Sequence, residues 1–410
     1  PLWLKIQKEE IQMRNLKRAL SLALAAIMLI GMMVVSASAV SYNDLTDKDQ
    51  IVNKDAVSML VSLGIIEGKP DGSYGPTENV DRAQMAKMLS VIMNKGVDNS
   101  ALYQSVNSGL TDITSHWAKG HINYCYTTGI IAGRGTGTFD PSATVTALEA
   151  AKMLLVAVGY DPAIEGFEGA DWAINVSVRA DEQGIFEGFT KDLSAPLNRD
   201  DAALLIYNAL DVEMIQSYTT NNYPIVYSDH RTILSDKYGV IKVEGVVTAN
   251  EWAILDDDTD TALQEGKTRI YNPDGILSTT GNTAVAQDSS ANVKTQVFNV
   301  STPVDMLGKA VTMYVKKTTI LADSTVYGAP VVSDVNTVIE TGEKVTGGDS
   351  KDDDSLAALL KGTGLATDKA TEYYHNYEEV AIDSADVDDI MNVKGAALTV
   401  IDNDNDGYVN

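Results

Sequence analysis

One pattern, met three times, constrains this chain more than its length does. Gly64-Ile65-Ile66-Glu67-Gly68, Gly129-Ile130-Ile131-Ala132-Gly133 and Gly184-Ile185-Phe186-Glu187-Gly188 share the form G-I-φ-x-G, with φ an apolar residue. A proline stands twelve residues after the first glycine of each: Pro76, Pro141 and Pro196. Twelve residues before it stand Trp117 and Trp172 in the second and third copies, and Val52 in the first. The copies are 65 and 55 residues apart, so insertions lie between them. Repeats of this size are units that bury their apolar faces against one another.

Each copy parses as helix, loop, helix. In the first, Val57, Leu60, Val61 and Gly64 fall at helical spacing, and the glycine ends the helix because it tolerates a left-handed conformation. A turn-rich stretch from Lys69 to Pro76 follows. The second helix shows Met85, Met88, Leu89, Ile92 and Met93 on one face, a stripe that reads as core packing.

The start of each second helix carries the chemistry. The strings Asp81-Arg82-Ala83-Gln84, Thr146-Ala147-Leu148-Glu149 and Asn198-Arg199-Asp200-Asp201 each open on a capping residue, and the first two fit a capping box or its relative. Arg82 and Arg199 follow their caps. A guanidinium beside the unsatisfied N–H groups of a helix start can hold a carboxylate or phosphate. A solvated surface arginine is the plainer alternative, and both tryptophans fit either a sugar platform or a core.

These residues resemble the S-layer homology (SLH) domain, in three tandem copies over roughly residues 40–211. The carriers are Trp117-Ala118, Trp172-Ala173, the three G-I-φ-x-G turns, Phe139-Asp140-Pro141 and cap strings similar to the family's Thr-Arg-Ala-Glu motif. Gly159-Tyr160-Asp161-Pro162 and the run Asp200 to Leu210 also resemble clostridial-type surface-layer proteins. The resemblance implies repeats over residues 40–100, 101–160 and 161–211 forming a pseudo-threefold helical prism. Its grooves would hold a secondary cell-wall polymer, often pyruvylated, with Arg82 and Arg199 on the ketal carboxylate and Trp117 and Trp172 lining the sugar. The family's aromatic-x-Asp opening is matched by Tyr42-Asn43-Asp44 and loosely by Leu110-Thr111-Asp112, which makes Asp44 and Asp112 candidate site residues; the third copy has Phe167-Glu168-Gly169 instead. The second copy has Ala147 where the arginine belongs, so one groove is expected to be weak.

Residues 1–39 read as upstream residues plus a secretory signal. A basic stretch at Met13–Arg18 precedes an apolar run from Ala19 to Val35 and the small-x-small string Ala37-Ser38-Ala39. Cleavage there would leave no stable membrane span; an uncleaved anchor is the alternative. The 31 basic against 57 acidic residues give a net charge of −26, which argues against nucleic acid and against anionic lipid. The single cysteine, Cys125, excludes an internal disulfide and a cysteine-type zinc site.

From about Val212 to residue 410 the pattern becomes β-branched alternation with turn residues, as at Val243–Ala249, Val311–Lys316 and Val393–Ile401. One or two β-rich domains are expected, with a short helix over Ser355–Gly362 behind an acidic loop at residues 347–354, and an acidic surface run at Asp256–Asp260. Asp402, Asp404 and Asp406 occupy the first, third and fifth positions of a calcium loop, with Gly407 at the sixth and the Tyr408 carbonyl at the seventh. The chain stops before the twelfth position, where the bidentate carboxylate belongs, so the region is expected to be truncated at its C-terminus, and such runs also serve as plain turns. No catalytic motif emerges.

The expected molecule is therefore an α+β multidomain, exported, non-enzymatic cell-wall or S-layer protein. It needs no cofactor, with calcium the candidate ion. Three SLH repeats would anchor it to the polymer, and it could assemble into a lattice. The rivals are an anchored polysaccharide hydrolase and an anchored adhesin.

Overall fold

The computed structural model describes residues 42–255, 262–273, 294–316, 324–340, 360, 362–366, 371, 374–375, 378–379 and 399–410. The signal segment, the Asp256–Asp260 run, the acidic loop at 347–354, the first part of the strand expected at 393–401 and nearly all of the helix expected at 355–362 lie outside the described residues.

Among the described residues of the first half, six α-helices stand out: α1 (Lys54–Ser62), α2 (Arg82–Met93), α3 (Lys119–Thr127), α4 (Ala147–Val158), α5 (Trp172–Glu182) and α6 (Arg199–Leu210). They pair as three helix–loop–helix units. Each first helix ends the same way. Gly64, Gly129 and Gly184 take φ of 70°, 79° and 69°. The N–H of the following isoleucine then reaches back five residues: Ile65 to the Leu60 carbonyl (2.9 Å), Ile130 to Cys125 (2.9 Å) and Ile185 to Ala180 (2.8 Å). This Schellman closure needs the left-handed residue that glycine supplies, and the isoleucine it turns inward is buried each time. The G-I pair is thus one device for stopping a helix and starting a core.

The second helices begin on the expected caps. Asp81 with Gln84 and Thr146 with Glu149 form reciprocal capping boxes, and the Asn198 side chain accepts from the Asp201 N–H. The residue before each cap closes a ring of backbone hydrogen bonds. Val80 N–H donates to Leu197 O (2.8 Å), Leu197 N–H to Val145 O (2.8 Å) and Val145 N–H to Val80 O (2.9 Å). All three side chains are buried. One core spans the units, including the inward Met85, Leu89 and Ile92 of α2.

The third unit reaches this ring by a shorter loop. The Pro76 and Pro141 carbonyls accept from Asp200 N–H (3.1 Å) and Ala83 N–H (3.0 Å), but the carbonyl in that role in the third unit is Leu193, accepting from Leu148 (3.1 Å). Pro196 instead sits next to the ring, paired with Thr146. The equal proline spacing in the sequence is therefore a coincidence in the third copy, whose loop is three residues shorter.

Antiparallel β-structure follows. A hairpin of β1 (Ile215–Tyr218) and β2 (Pro224–Val226) leads to a five-stranded sheet of β3 (Val240–Ala249), β4 (Thr268–Tyr271), β5 (Thr295–Phe298), β6 (Ala310–Lys316) and β7 (Val326–Val332), ordered β5-β4-β3-β6-β7. The central pair runs in register from Val240 opposite Lys316 to Val246 opposite Ala310. Ile241, Val243, Ile270, Phe298, Met313 and Val315 belong to its core. Among the described residues four short strands pair next, β8 (Thr337–Glu340) with β11 (Thr399–Asp402) and β9 (Tyr374–His375) with β10 (Glu378–Glu379). The sheet leans on the first helical unit. Strand β7 lies against α1 at Gly328, where an added Cβ would sit 3.7 Å from the Met59 nitrogen. The Tyr207 and Tyr314 rings meet edge-on at 5.9 Å.

Candidate functional site

Two arginines mark the boundaries between units. Arg82, at the first position of α2, crosses to the second unit: Nε donates to Phe139 O (2.9 Å) and Nη2 to Ala132 O (2.8 Å). Its guanidinium lies 4.4 Å from the Phe139 ring centroid. Arg199, at the same position of α6, crosses to the first unit: Nε donates to Tyr74 O (2.9 Å) and the guanidinium lies 4.8 Å from the Tyr74 ring centroid. Both arginines thus use one grip, a charge-assisted bond to a backbone carbonyl plus a stack on that residue's ring. Arg82 is only 4% exposed, and burial lowers its pKa to about 10, helped by the neighbouring Arg134. Arg199 is half-buried and keeps both Nη groups clear of the Tyr74 bond. At the third boundary Ala147 is buried and makes no such crossing.

The stacked aromatics are themselves held by aspartates. Asp112 accepts from the N–H groups of Phe139 (2.9 Å) and Asp140 (2.7 Å). Burial opposes its charge, yet those N–H bonds hold its carboxyl below the usual range. In the first unit the same clamp is Asp47, accepting from Tyr74 (2.7 Å) and Gly75 (2.8 Å), with the same net lowering against burial. Asp44 is exposed in a short turn at Tyr42–Asp44, and the Tyr74 and Gly75 N–H groups go to Asp47. Sequence reasoning missed Asp47 although a signal existed: Asp47 and Asp112 each stand seventeen residues before the G-I turn. Phe167 fills that position in the third unit, buried, and its carbonyl accepts from Lys152 Nζ (2.5 Å).

The tryptophans do not join the arginines of their own boundaries in one way. Trp117 is 56% exposed at the start of α3, with His116 and His121 rings at 5.6 and 6.3 Å. His121 ties that end of α3 to α2 through Ser90 Oγ (2.6 Å), whereas Arg82 bonds beyond the other end of α3, so Trp117 and Arg82 stand at opposite ends of the pair. Trp172 is half-buried, with Lys152 Nζ 5.6 Å from its ring centroid. Burial lowers the Lys152 pKa, offset by Glu168 and reinforced by Arg82.

At the far end of the chain, carboxylate oxygens of Asp402, Asp404 and Asp406 lie within 4.8 Å of one another. Asp402 is buried and accepts from the N–H groups of Asn405 (2.7 Å) and Gly407 (3.1 Å). Burial and the charges of Asp406 and Asp402 raise the Asp404 pKa. Gly407 takes φ of 87°, which turns the loop. Asn410 spends its side-chain oxygen on the Asn403 N–H (2.7 Å). The three oxygens suit a hard cation in donor type and spacing.

The sequence signature of the S-layer homology domain matches residues 41–86 and 109–151. A cell surface protein of Thermoanaerobacter kivui is 27% identical over 270 residues, 65% of this chain and 32% of that protein. An S-layer protein of Bacillus licheniformis is 33% identical over 113 residues, 28% of this chain and 12% of that protein. The chain thus spans a third or less of the length of these relatives. Other similar proteins are named as enzymes: an uncharacterized cell wall amidase of Bacillus anthracis (31% identical), exoglucanase XynX of Acetivibrio thermocellus (28%) and an amylopullulanase of Thermoanaerobacterium thermosulfurigenes (30%). These names overturn the expectation of a non-enzymatic protein, because proteins similar to this chain include named enzymes and the resemblance gives no ground for excluding catalysis. Among the described residues no helix is long and apolar enough to cross a membrane. Two segments of this chain thus match the S-layer homology domain, and its relatives point to a cell-surface, cell-wall-associated protein.

Proposed function

We propose that residues 40–211 are three tandem SLH repeats around a pseudo-threefold axis, and that they anchor the chain non-covalently to a secondary cell-wall polymer. The observation that carries the reading is the repeated arginine grip at two unit boundaries. A guanidinium already fixed by a carbonyl and an aromatic ring loses little freedom when it meets a carboxylate. Arg199 is the stronger candidate for a polymer carboxylate, such as a pyruvyl ketal, because its Nη groups are left over from the Tyr74 bond and it is more exposed than Arg82. The backbone ring through Val80, Val145 and Leu197 supports the pseudo-threefold arrangement, and Trp172 with Lys152 supports a sugar-facing role at the boundary that lacks an arginine. Titration of purified polymer into the chain tests this. Arg199→Gln should weaken binding about tenfold or more; unchanged affinity in the folded variant would remove Arg199 from the site.

What the anchored chain displays is a second matter. Assembly of copies into a lattice would show as ordered sheets by electron microscopy of the purified protein. The relatives named exoglucanase and amylopullulanase favour a polysaccharide hydrolase as the second reading, tested by release of reducing ends from wall and plant glycans. The Asp402–Asp404–Asp406 loop we assign to calcium, with weak affinity, on the order of 0.1–1 mM as in extracellular modules. Equal calcium heats from the chain and from Asp402→Asn/Asp404→Asn would reduce the loop to a turn.

A further inference from the structure

The three units differ in what lies against their first helices. On α1, strand β7 covers the outer face at Gly328 and Met59. On α3, the segment Ser100–Tyr103 covers it: Asn123 Nδ2 donates to the carbonyls of Tyr103 (2.9 Å) and Val106 (2.9 Å), and a Cβ added at Gly120 would lie 2.1 Å from Ser100 O. On α5 the same face is open, with Ile174 64% and Val178 54% exposed. Counted back from the G-I turns, Ser177 takes the place of Val57 and Ile122, both fully buried. A small polar side chain stands where the other units have a core residue.

The result is a cleft of about 390 Å³ between α5 and the short third loop, within the size range of small-ligand sites. Phe186, Phe189 and Leu193 give it an apolar lining, the two rings 6.2 Å apart and tilted by 37°. Ser177 brings a hydroxyl, Asp181 a carboxylate and Lys191 an ammonium paired with Asp201. This mixture of ring faces with a few donors and acceptors suits the alternating C–H and hydroxyl surfaces of a sugar. Its charge sets the class. One carboxylate and one already neutralised ammonium, on a chain of −26, disfavour an acidic saccharide.

We propose that the α5 cleft is a binding site for an uncharged sugar unit, separate from the arginine boundaries and independent of them. The experiment is saturation-transfer NMR on the full chain, with chitobiose as the neutral probe and digalacturonate as the acidic one. Chitobiose should bind, digalacturonate should not, and Arg199→Gln should leave chitobiose binding unchanged. Ser177→Val restores the residue type of the first unit and replaces the cleft's hydroxyl with a methyl; it should fold normally and weaken chitobiose binding at least tenfold, as should Phe189→Ala. Three results would overturn the proposal: no saturation transfer from the parent chain at millimolar chitobiose, equal binding by both variants, or a concentration-dependent dimer that Phe189→Ala abolishes. The last would reassign the face to a second copy of the chain.

Discussion

Arg82 and Arg199 show how far a residue's role depends on what it crosses to. The cap strings alone place both at a helix start, where arginine and alanine differ little in propensity. The structure adds the crossing to the next unit, which the string cannot reveal because the partners lie 57 and 125 residues away. Arg82→Ala should therefore destabilise by about 3–5 kcal/mol, the loss of two charge-assisted bonds in a buried setting. Arg199→Ala should cost less, about 1–3 kcal/mol, with one bond and a partly exposed stack. Urea unfolding of both variants checks the order; equal small losses would mean that the crossings contribute nothing. The aspartate clamp teaches a related lesson. The motif singles out Asp112 as a polymer-binding candidate and is silent on its bonds to Phe139 and Asp140, and the matching clamp of the first unit is Asp47, which the aromatic-x-Asp template passes over and the fixed distance to the G-I turn finds.

At the scale of elements, the helix stops, the caps and the Met85-Leu89-Ile92 stripe were all readable, because each is local chemistry with a fixed spacing. The third loop was not. Pro196 matches the other prolines in count but not in place, since a deletion of three residues shifts the loop against the ring. Closure of the third unit on the first was equally hidden. Asp200 accepts from the backbone N–H groups of Val52 (3.2 Å) and Asn53 (3.2 Å), 148 and 147 residues away, and so ties the entry of α1 to the start of α6. Asp200→Ala should lower stability by about 2–4 kcal/mol through those orphaned donors, while Asp192→Ala, whose exposed carboxylate bonds within its own turn through Ser194, should leave the melting temperature nearly unchanged. Calorimetric melting of the two variants distinguishes them. The end of α6 carries a pH-dependent element. Burial pushes the Asp211 carboxyl up to about 6, Lys242 pulls it down and Glu244 pushes it up again. A raised folded pKa means that the native state holds this proton more tightly than the unfolded chain. The contribution is complete below about pH 4 and is lost as pH rises through 6. Asp211→Asn should therefore raise the melting temperature at pH 7.5 and leave it unchanged near pH 3.5; the opposite pH order would refute the assignment.

For the whole molecule, composition and repeat period fixed the broad class, a helical first half and a β-rich second half. Strand order was illegible, because β3 pairs with β6 and β4 across long connections that alternation cannot rank. The charge of −26 matters at this scale too: an anionic ligand would be held only where a fixed cation such as Arg199 offsets the chain's own field. Anchoring is the central claim, and co-sedimentation of the full chain with isolated cell walls tests it most directly. The chain should pellet with walls that retain their secondary polymer and stay in solution with walls stripped of it. Equal pelleting on stripped walls, or none on intact ones, would contradict the account.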